Sequence, residues 1–293
     1  MPFFSVVIPT YNRAGFIEQT INSVLRQTFS DFEVIVVDDG SKDNTREVVA
    51  AIRDSRVFYH YKENEERAAA RNMGVRLARG KYVTFLDSDD LLYENHLATA
   101  MKVVEQYGEP EFFHLGYEIK DVSQAKTRRV DYLPEIANEA LISGNHLSCR
   151  GVFLRRDIAE RNPFNTDRDL SGTEDYELWL RLASQYDLIC NNEVTSAVLQ
   201  HGDRSVLKTD REKLIKRIEL LEKYLFDHDE FMHRFGKNIG AFKANNRVYI
   251  ALHLALTKRH RLGAVTYLVK ALLCSPKALK NRAFYGTIKR LFV

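Results

Sequence analysis

Cysteine is scarce. The 293 residues hold three, Cys149, Cys190 and Cys274, far apart and with no CxxC pair. That spacing argues against a disulfide framework and a zinc site, and fits a reducing cytoplasm. Long apolar runs are missing too: no uncharged stretch reaches the roughly 18 residues of a membrane-crossing helix. The opening MPFFSVVIP lacks a basic leader and is soon followed by Arg13, so it reads as a first strand rather than a signal peptide. Neither GxGxxG nor a Walker sequence occurs, which removes the usual dinucleotide and P-loop signatures. One further absence is local. Residues 231–293 carry 13 Lys or Arg and no Asp or Glu, leaving 30 basic and 40 acidic residues in 1–230, a net charge of −10 there. The overall +3 hides this split. Such asymmetry points to a basic part that meets an anionic surface, nucleic acid or membrane.

What is present is a soluble globular composition, 45% hydrophobic and 28% charged, in a chain long enough for one large domain with an appendage. The first 120 residues alternate strand and helix patterns: strands at 4–9, 32–37, 57–61 and 81–86, helices at 14–27, 44–52, 67–78 and 91–107. Strands that are apolar throughout, separated by helices, predict a mostly parallel sheet covered on both faces. A strand at 111–119 follows, then an irregular segment to about 172, a strong helix at 173–186 and short strands near 187–190 and 194–200. From about 210 the chain reads as helical, with the change of pattern near 201–210 as the expected domain boundary.

In a parallel sheet, ligands bind beyond the carboxyl ends of the strands. The polar clusters fall there: Thr10-Tyr11-Asn12, Asp38-Asp39, and Asp87-Ser88-Asp89-Asp90. Three carboxylates in four positions repel one another unless a positive charge sits among them. Alternation along a strand lets Asp87 and Asp89 share a side. Two such carboxylates suit a hard, oxygen-seeking ion such as Mg²⁺ or Mn²⁺. Asp90 is expected to cap the helix beginning at Leu91.

The motifs SVVIPTYNR (5–13), VVDDGSKDNT (36–45), AARNMG (69–74), GKYVTFLDSDD (80–90) and TEDYELWLRLA (173–183) occur in this order. Together they resemble the family 2 glycosyltransferases over about residues 3–205. The resemblance implies a GT-A fold for 1–205, an α/β architecture with helices on both faces of the sheet. A nucleotide-sugar-binding half (1–119) and an acceptor-binding half (120–205) would precede a helical basic region at 206–293. It also implies inverting transfer of a hexosyl or N-acetylhexosaminyl group from a UDP-sugar to a saccharide or lipid-linked saccharide, in cell-surface polysaccharide synthesis.

Carried over by position, Thr10 and Tyr11 would line the base, Asp39 would accept from the uracil edge and Arg71 would lie beside base and phosphates. Asp87 would serve ribose and metal, and Asp89 would bind the metal, with His201 near metal or diphosphate and Arg204 a weaker phosphate candidate. The general base comes from Glu174-Asp175. Ser171-Gly172-Thr173-Glu174 fits a capping box, which makes Glu174 structural and leaves Asp175 as the base. Two segments depart from the family pattern. Residues 62–72 carry Glu65, Glu66 and Arg67 where relatives have small residues and glycine. Residues 161–172 have Pro163-Phe164-Asn165 in place of Gly-Phe-Asp.

Two other readings remain open: a non-catalytic sugar-nucleotide-binding subunit, and a nucleotidyltransferase. The latter would want a glycine-rich basic loop where this chain has PTYNRAGF. The basic tail interleaves charge with apolar helices, whereas nucleic-acid binders more often show polar helices or aromatic platforms for bases, so an anionic membrane is the expected partner and nucleic acid is not. The resemblance implies a matching location, in the cytoplasm and peripheral on the inner face of the cell membrane, because many relatives extend lipid-linked sugars there. The competing readings of the tail are packing on the catalytic domain and assembly of a homo-oligomer.

Overall fold

The structure, a computed structural model, describes residues 1–121, 126–130, 132–200, 210–256 and 260–292. The chain separates into two compact units. The first comprises Met1–Ala137, Leu147–Leu178 and Tyr186–Arg204; the second comprises Asn138–His146, Trp179–Gln185 and Ser205–Val293.

In chain order the first unit holds β1 (Phe4–Thr10), α1 (Ile17–Leu25), β2 (Phe32–Asp38), α2 (Thr45–Ala51), β3 (Val57–Tyr61), α3 (Glu66–Leu77), β4 (Tyr82–Phe85) and β5 (Leu91–Leu92). There follow α4 (His96–Gln106), β6 (Phe112–Asp121), β7 (Lys126–Arg129), β8 (Val152–Arg155), α5 (Arg156–Arg161), the start of α6 (Glu174–Gln185) and β9 (Leu188–Gln200). One sheet runs β3-β2-β1-β4-β8-β6-β9-β5, with β7 on β6. The β3-β2-β1-β4 part is parallel, and β8 lies antiparallel between β4 and β6, so the sheet becomes mixed beyond β4. Every residue of β1 and β2 is buried, as β-branched strands covered on both faces must be. Parallel pairing brings Thr10 opposite Asp38 at one rim.

Helix α3 lies tight on β1. A Cβ at Gly74 would stand 2.2 Å from Val7 Cγ1, so only glycine permits this approach. The entry to α3 is strained: Glu66 has φ +73°, the left-handed region that side chains rarely adopt. This is one of the positions where the family pattern has small residues and glycine. Glu66→Gly should therefore raise the free energy of unfolding by about 1 kcal/mol in urea titrations, and Glu66→Ala should not.

Three expectations need correction. The helix foreseen at 91–107 begins at His96, because Leu91–Leu92 pairs as β5 with β9. Asp90 is therefore no helix cap. It is wholly buried and faces Arg150 at 2.9 Å. The strands foreseen at 187–190 and 194–200 form one strand, β9, whose parallel pairing with β6 shifts register around Gly116, a β-bulge.

The second unit contains α7 (Arg211–Phe226), α8 (Asp229–Phe235), α9 (Ile239–Leu256), α10 (Arg261–Cys274) and α11 (Arg282–Leu291). Ala244, Val248 and Ala251 of α9 pack with Leu268 and Ala271 of α10 and Phe284 of α11. Arg247 binds both oxygens of Glu222, at 2.7 and 2.9 Å, and so joins α9 to α7. Among the described residues no helix is long and apolar enough to cross a membrane.

Candidate active site

The site residues of the first unit lie where strands stop and loops lock together. Beyond β1, Asn12 adopts φ +51°; its N–H donates to Ser41 Oγ, and its Oδ1 accepts from the Lys42 N–H, both at 2.8 Å. The Asp39 N–H donates to the Thr10 carbonyl at 2.8 Å, so the ends of β1 and β2 are brought together. Thr10 is buried and Tyr11 is 43% exposed. Asp39 is buried, and its Oδ1 accepts from Lys62 Nζ at 2.8 Å and from the Glu65 N–H at 3.0 Å. Lys62 also meets Glu65 Oε2 at 2.7 Å. Sequence reasoning did not single out Lys62; its place directly after β3, at the strand ends where Asp39 follows β2, is the signal that was available.

Each carboxylate beyond β4 faces its own arginine. Asp87 Oδ1 accepts from Arg71 Nη2 at 2.9 Å, Asp89 Oδ2 lies 3.6 Å from Arg13 Nε, and Asp90 Oδ2 lies 2.9 Å from Arg150 Nη2. Burial alone would raise the Asp87 pKa, but Arg71, then Arg150 and Arg67, outweigh it and hold the carboxyl down at about 2. These arginines supply the positive charge that the acidic run requires. Arg13 and Arg150 were not predicted. Arg150 comes from the short 3₁₀ turn Cys149–Gly151, inside the segment whose sequence looked irregular.

Arg71 is 2% exposed, and its direct contacts are to protein carboxylates. While Nη2 binds Asp87, Nη1 donates to Glu174 Oε1 at 2.9 Å. One guanidinium thus ties α3 to the end of β4 and the start of α6. The two departures from the family pattern sit around it. Arg67, one turn earlier on α3, has Nε 3.9 Å from Glu174 Oε1. The Phe164 ring lies 5.3 Å from the Arg71 guanidinium carbon. Asn72 fixes that segment with two bonds to the Phe164 backbone, at 2.8 and 2.9 Å.

The Glu174-Asp175 pair is divided by environment. Glu174 is buried, and burial would raise its pKa, yet Arg67 and Arg71 prevail and lower it. It accepts the Gly172 N–H, not that of Ser171 as a capping box requires: the helix begins at Glu174 itself, and the Ser171 N–H donates to the Arg168 carbonyl. Asp175 is partly exposed. Its confined setting, then the adjacent Glu174 charge, push its pKa up to about 6 against the pull of Arg71. Its Oδ1 accepts from the Tyr176 N–H at 2.7 Å, and the buried Cys149 Sγ lies 3.8 Å from Oδ2. A carboxyl poised near neutrality beside a chain of fixed charges is suited to taking a proton.

No group of three or more His, Cys, Asp or Glu positioned to hold a metal ion occurs among the described residues. The donor set on offer is Asp87 and Asp89. Asp87 remains 30% exposed in its side chain and gives Oδ1 to Arg71. That set fits a hard divalent ion drawing its other ligands from phosphate and water, rather than an ion caged by protein. His201 and Arg204 lie outside the described residues.

Comparison with known proteins places this geometry. The family model for glycosyl transferase family 2 matches residues 5–162, and the chain belongs to that family. A glycosyltransferase of Rickettsia bellii that is otherwise uncharacterized is 42% identical over 69% of this chain, which spans 29% of that protein's length. The Escherichia coli UDP-Glc:alpha-D-GlcNAc-diphosphoundecaprenol beta-1,3-glucosyltransferase WfaP is 29% identical over 76% of this chain and 86% of its own. In structure, S. aureus TarS in complex with UDP-GlcNAc superposes with a TM-score of 0.63, covering 92% of this chain and 90% of that one at 18% identity. The α/β sheet with its covering helices is thus a GT-A fold followed by C-terminal helices.

Proposed function

We propose that the first unit transfers a hexosyl or N-acetylhexosaminyl group from a UDP-sugar, with inversion, to a hydroxyl of a lipid-linked saccharide in polysaccharide synthesis. The family match over residues 5–162 carries this reading, and the site agrees with it: burial and the neighbouring Glu174 push the Asp175 carboxyl up to about 6, while Glu174 binds the same Arg71 that holds Asp87. Direct displacement with inversion needs one base for the acceptor hydroxyl, and Asp175 is the carboxylate whose surroundings keep it basic. A non-catalytic binding subunit has no use for such a group.

Thr10, Tyr11 and Asp39 gather at the end of the parallel strands, where an aromatic face and an acceptor for an imide N–H are what uracil requires. Lys62 and the Glu65 N–H orient the Asp39 carboxylate by bonding its Oδ1. Asp87 and Asp89 would hold Mg²⁺ or Mn²⁺; when bound, that ion neutralises the charge gathering on the departing diphosphate. WfaP acts, by its name, on a diphosphoundecaprenol-linked sugar, which supports the lipid-linked acceptor for this chain.

Donor and ion should bind together. UDP at about 100 times its dissociation constant should stabilise the protein by roughly 2.7 kcal/mol with Mn²⁺ present, and much less with chelator. Asp89→Ala should abolish the difference in thermal-shift assays. Equal stabilisation by UDP with and without chelator, in both proteins, would refute the ion assignment. Release of UDP from a UDP-sugar only when a saccharide acceptor is supplied tests the reaction itself.

A further inference from the structure

Helix α10 has two apolar faces, and its own unit covers only one. Leu268 and Ala271 point into the core with α9 and α11, and Ala264 on the same side is buried. On the other side Leu262, Val265, Val269 and Leu273 are 87, 46, 51 and 81% exposed. Their spacing of three and four residues makes a continuous stripe along more than three turns of helix. Arg261 and Lys270 border the stripe on either side and are exposed. The following segment adds exposed Lys277, Lys280, Arg282, Lys289 and Arg290, with exposed Tyr285 and Phe292, and no acidic residue follows Glu230.

We propose that the outer face of α10 docks on an anionic lipid bilayer, the apolar stripe entering the interface and the flanking cations meeting phosphate headgroups. The argument is charge complementarity. A solvated helix face would not keep four large apolar side chains in water. A second copy packed face to face about a twofold axis would set Arg261 and Lys270 against like charges. A surface of negative headgroups over hydrocarbon satisfies both features at once. The inference stands on this surface alone and does not depend on the transfer reaction.

The test is co-sedimentation of the intact chain with phosphatidylcholine vesicles, with and without phosphatidylglycerol, at low and high salt. The parent protein should bind the anionic vesicles and weaken as salt rises. Changing Leu262, Val269 and Leu273 together to Ser should lower partitioning about tenfold or more. Arg261→Gln with Lys270→Gln should lower it several-fold. All these side chains are exposed, so circular dichroism melts should match the parent, and transfer to a soluble acceptor should be unchanged. Failure of the parent to bind, or undiminished binding by both variants, overturns the proposal. Concentration-dependent self-association that the triple-serine variant loses, without vesicle binding, overturns it in favour of a second copy.

Discussion

Asp175→Asn should reduce sugar transfer on the order of 10²–10⁴-fold while leaving UDP affinity near that of the parent. The amide keeps the shape and removes the basicity. In the parent, kcat/KM should rise as pH increases through about 6 and level above it, because the carboxylate form is the one that accepts the proton. The variant should lose that limb.

The same shift has a consequence for stability, opposite in sign to the usual aspartate. Because the folded-state pKa lies above the unfolded one, the stabilisation is complete below about pH 4 and is lost as pH rises through about 6. Asparagine carries no such loss. Denaturant titrations above pH 6 should therefore find Asp175→Asn no less stable than the parent. A variant that transfers normally, or binds UDP far more weakly, would remove Asp175 as the base.

Arg71→Met should be the most destabilising single change at this site, by about 3–5 kcal/mol in chemical denaturation. Methionine fills much of the space but leaves Glu174 buried beside Asp87 without their shared cation. Adding Glu174→Gln should recover a large part of the loss, since it removes the stranded charge. A loss below about 1 kcal/mol for Arg71→Met alone would mean that the buried pairing contributes little. Both variants act through the fold, so donor binding and turnover should fall together, unlike the pattern for Asp175→Asn.

The strand-helix alternation of the first 120 residues was legible because buried parallel strands are apolar without interruption. The motifs at the strand ends were legible because they mark where ligands collect in such sheets. Pairings between distant segments were not. Asp90 looked like a helix cap because aspartate before an apolar run usually is one; its partner Arg150 lies in a segment with no periodicity. The strand β8 has four residues, too short to show a pattern. Asn191-Asn192-Glu193 reads as a turn, and in the structure it is where β9 bulges against Gly116. Glu174 was read as structural from a local capping motif, whereas its partners Arg67 and Arg71 lie about a hundred residues earlier.

Gly74 stands one turn beyond Arg71, on the helix that rests against Val7. The missing side chain sets the clearance between α3 and the sheet, and with it the height at which the guanidinium hangs between its two carboxylates. Any larger residue would lift the helix like a shim under a beam. At hydrogen bonds of 2.9 Å, a displacement of about an ångström breaks the contact. The charge chain from β4 to α6 is thus machined to the thickness of one methyl group, by a residue that carries no side chain at all.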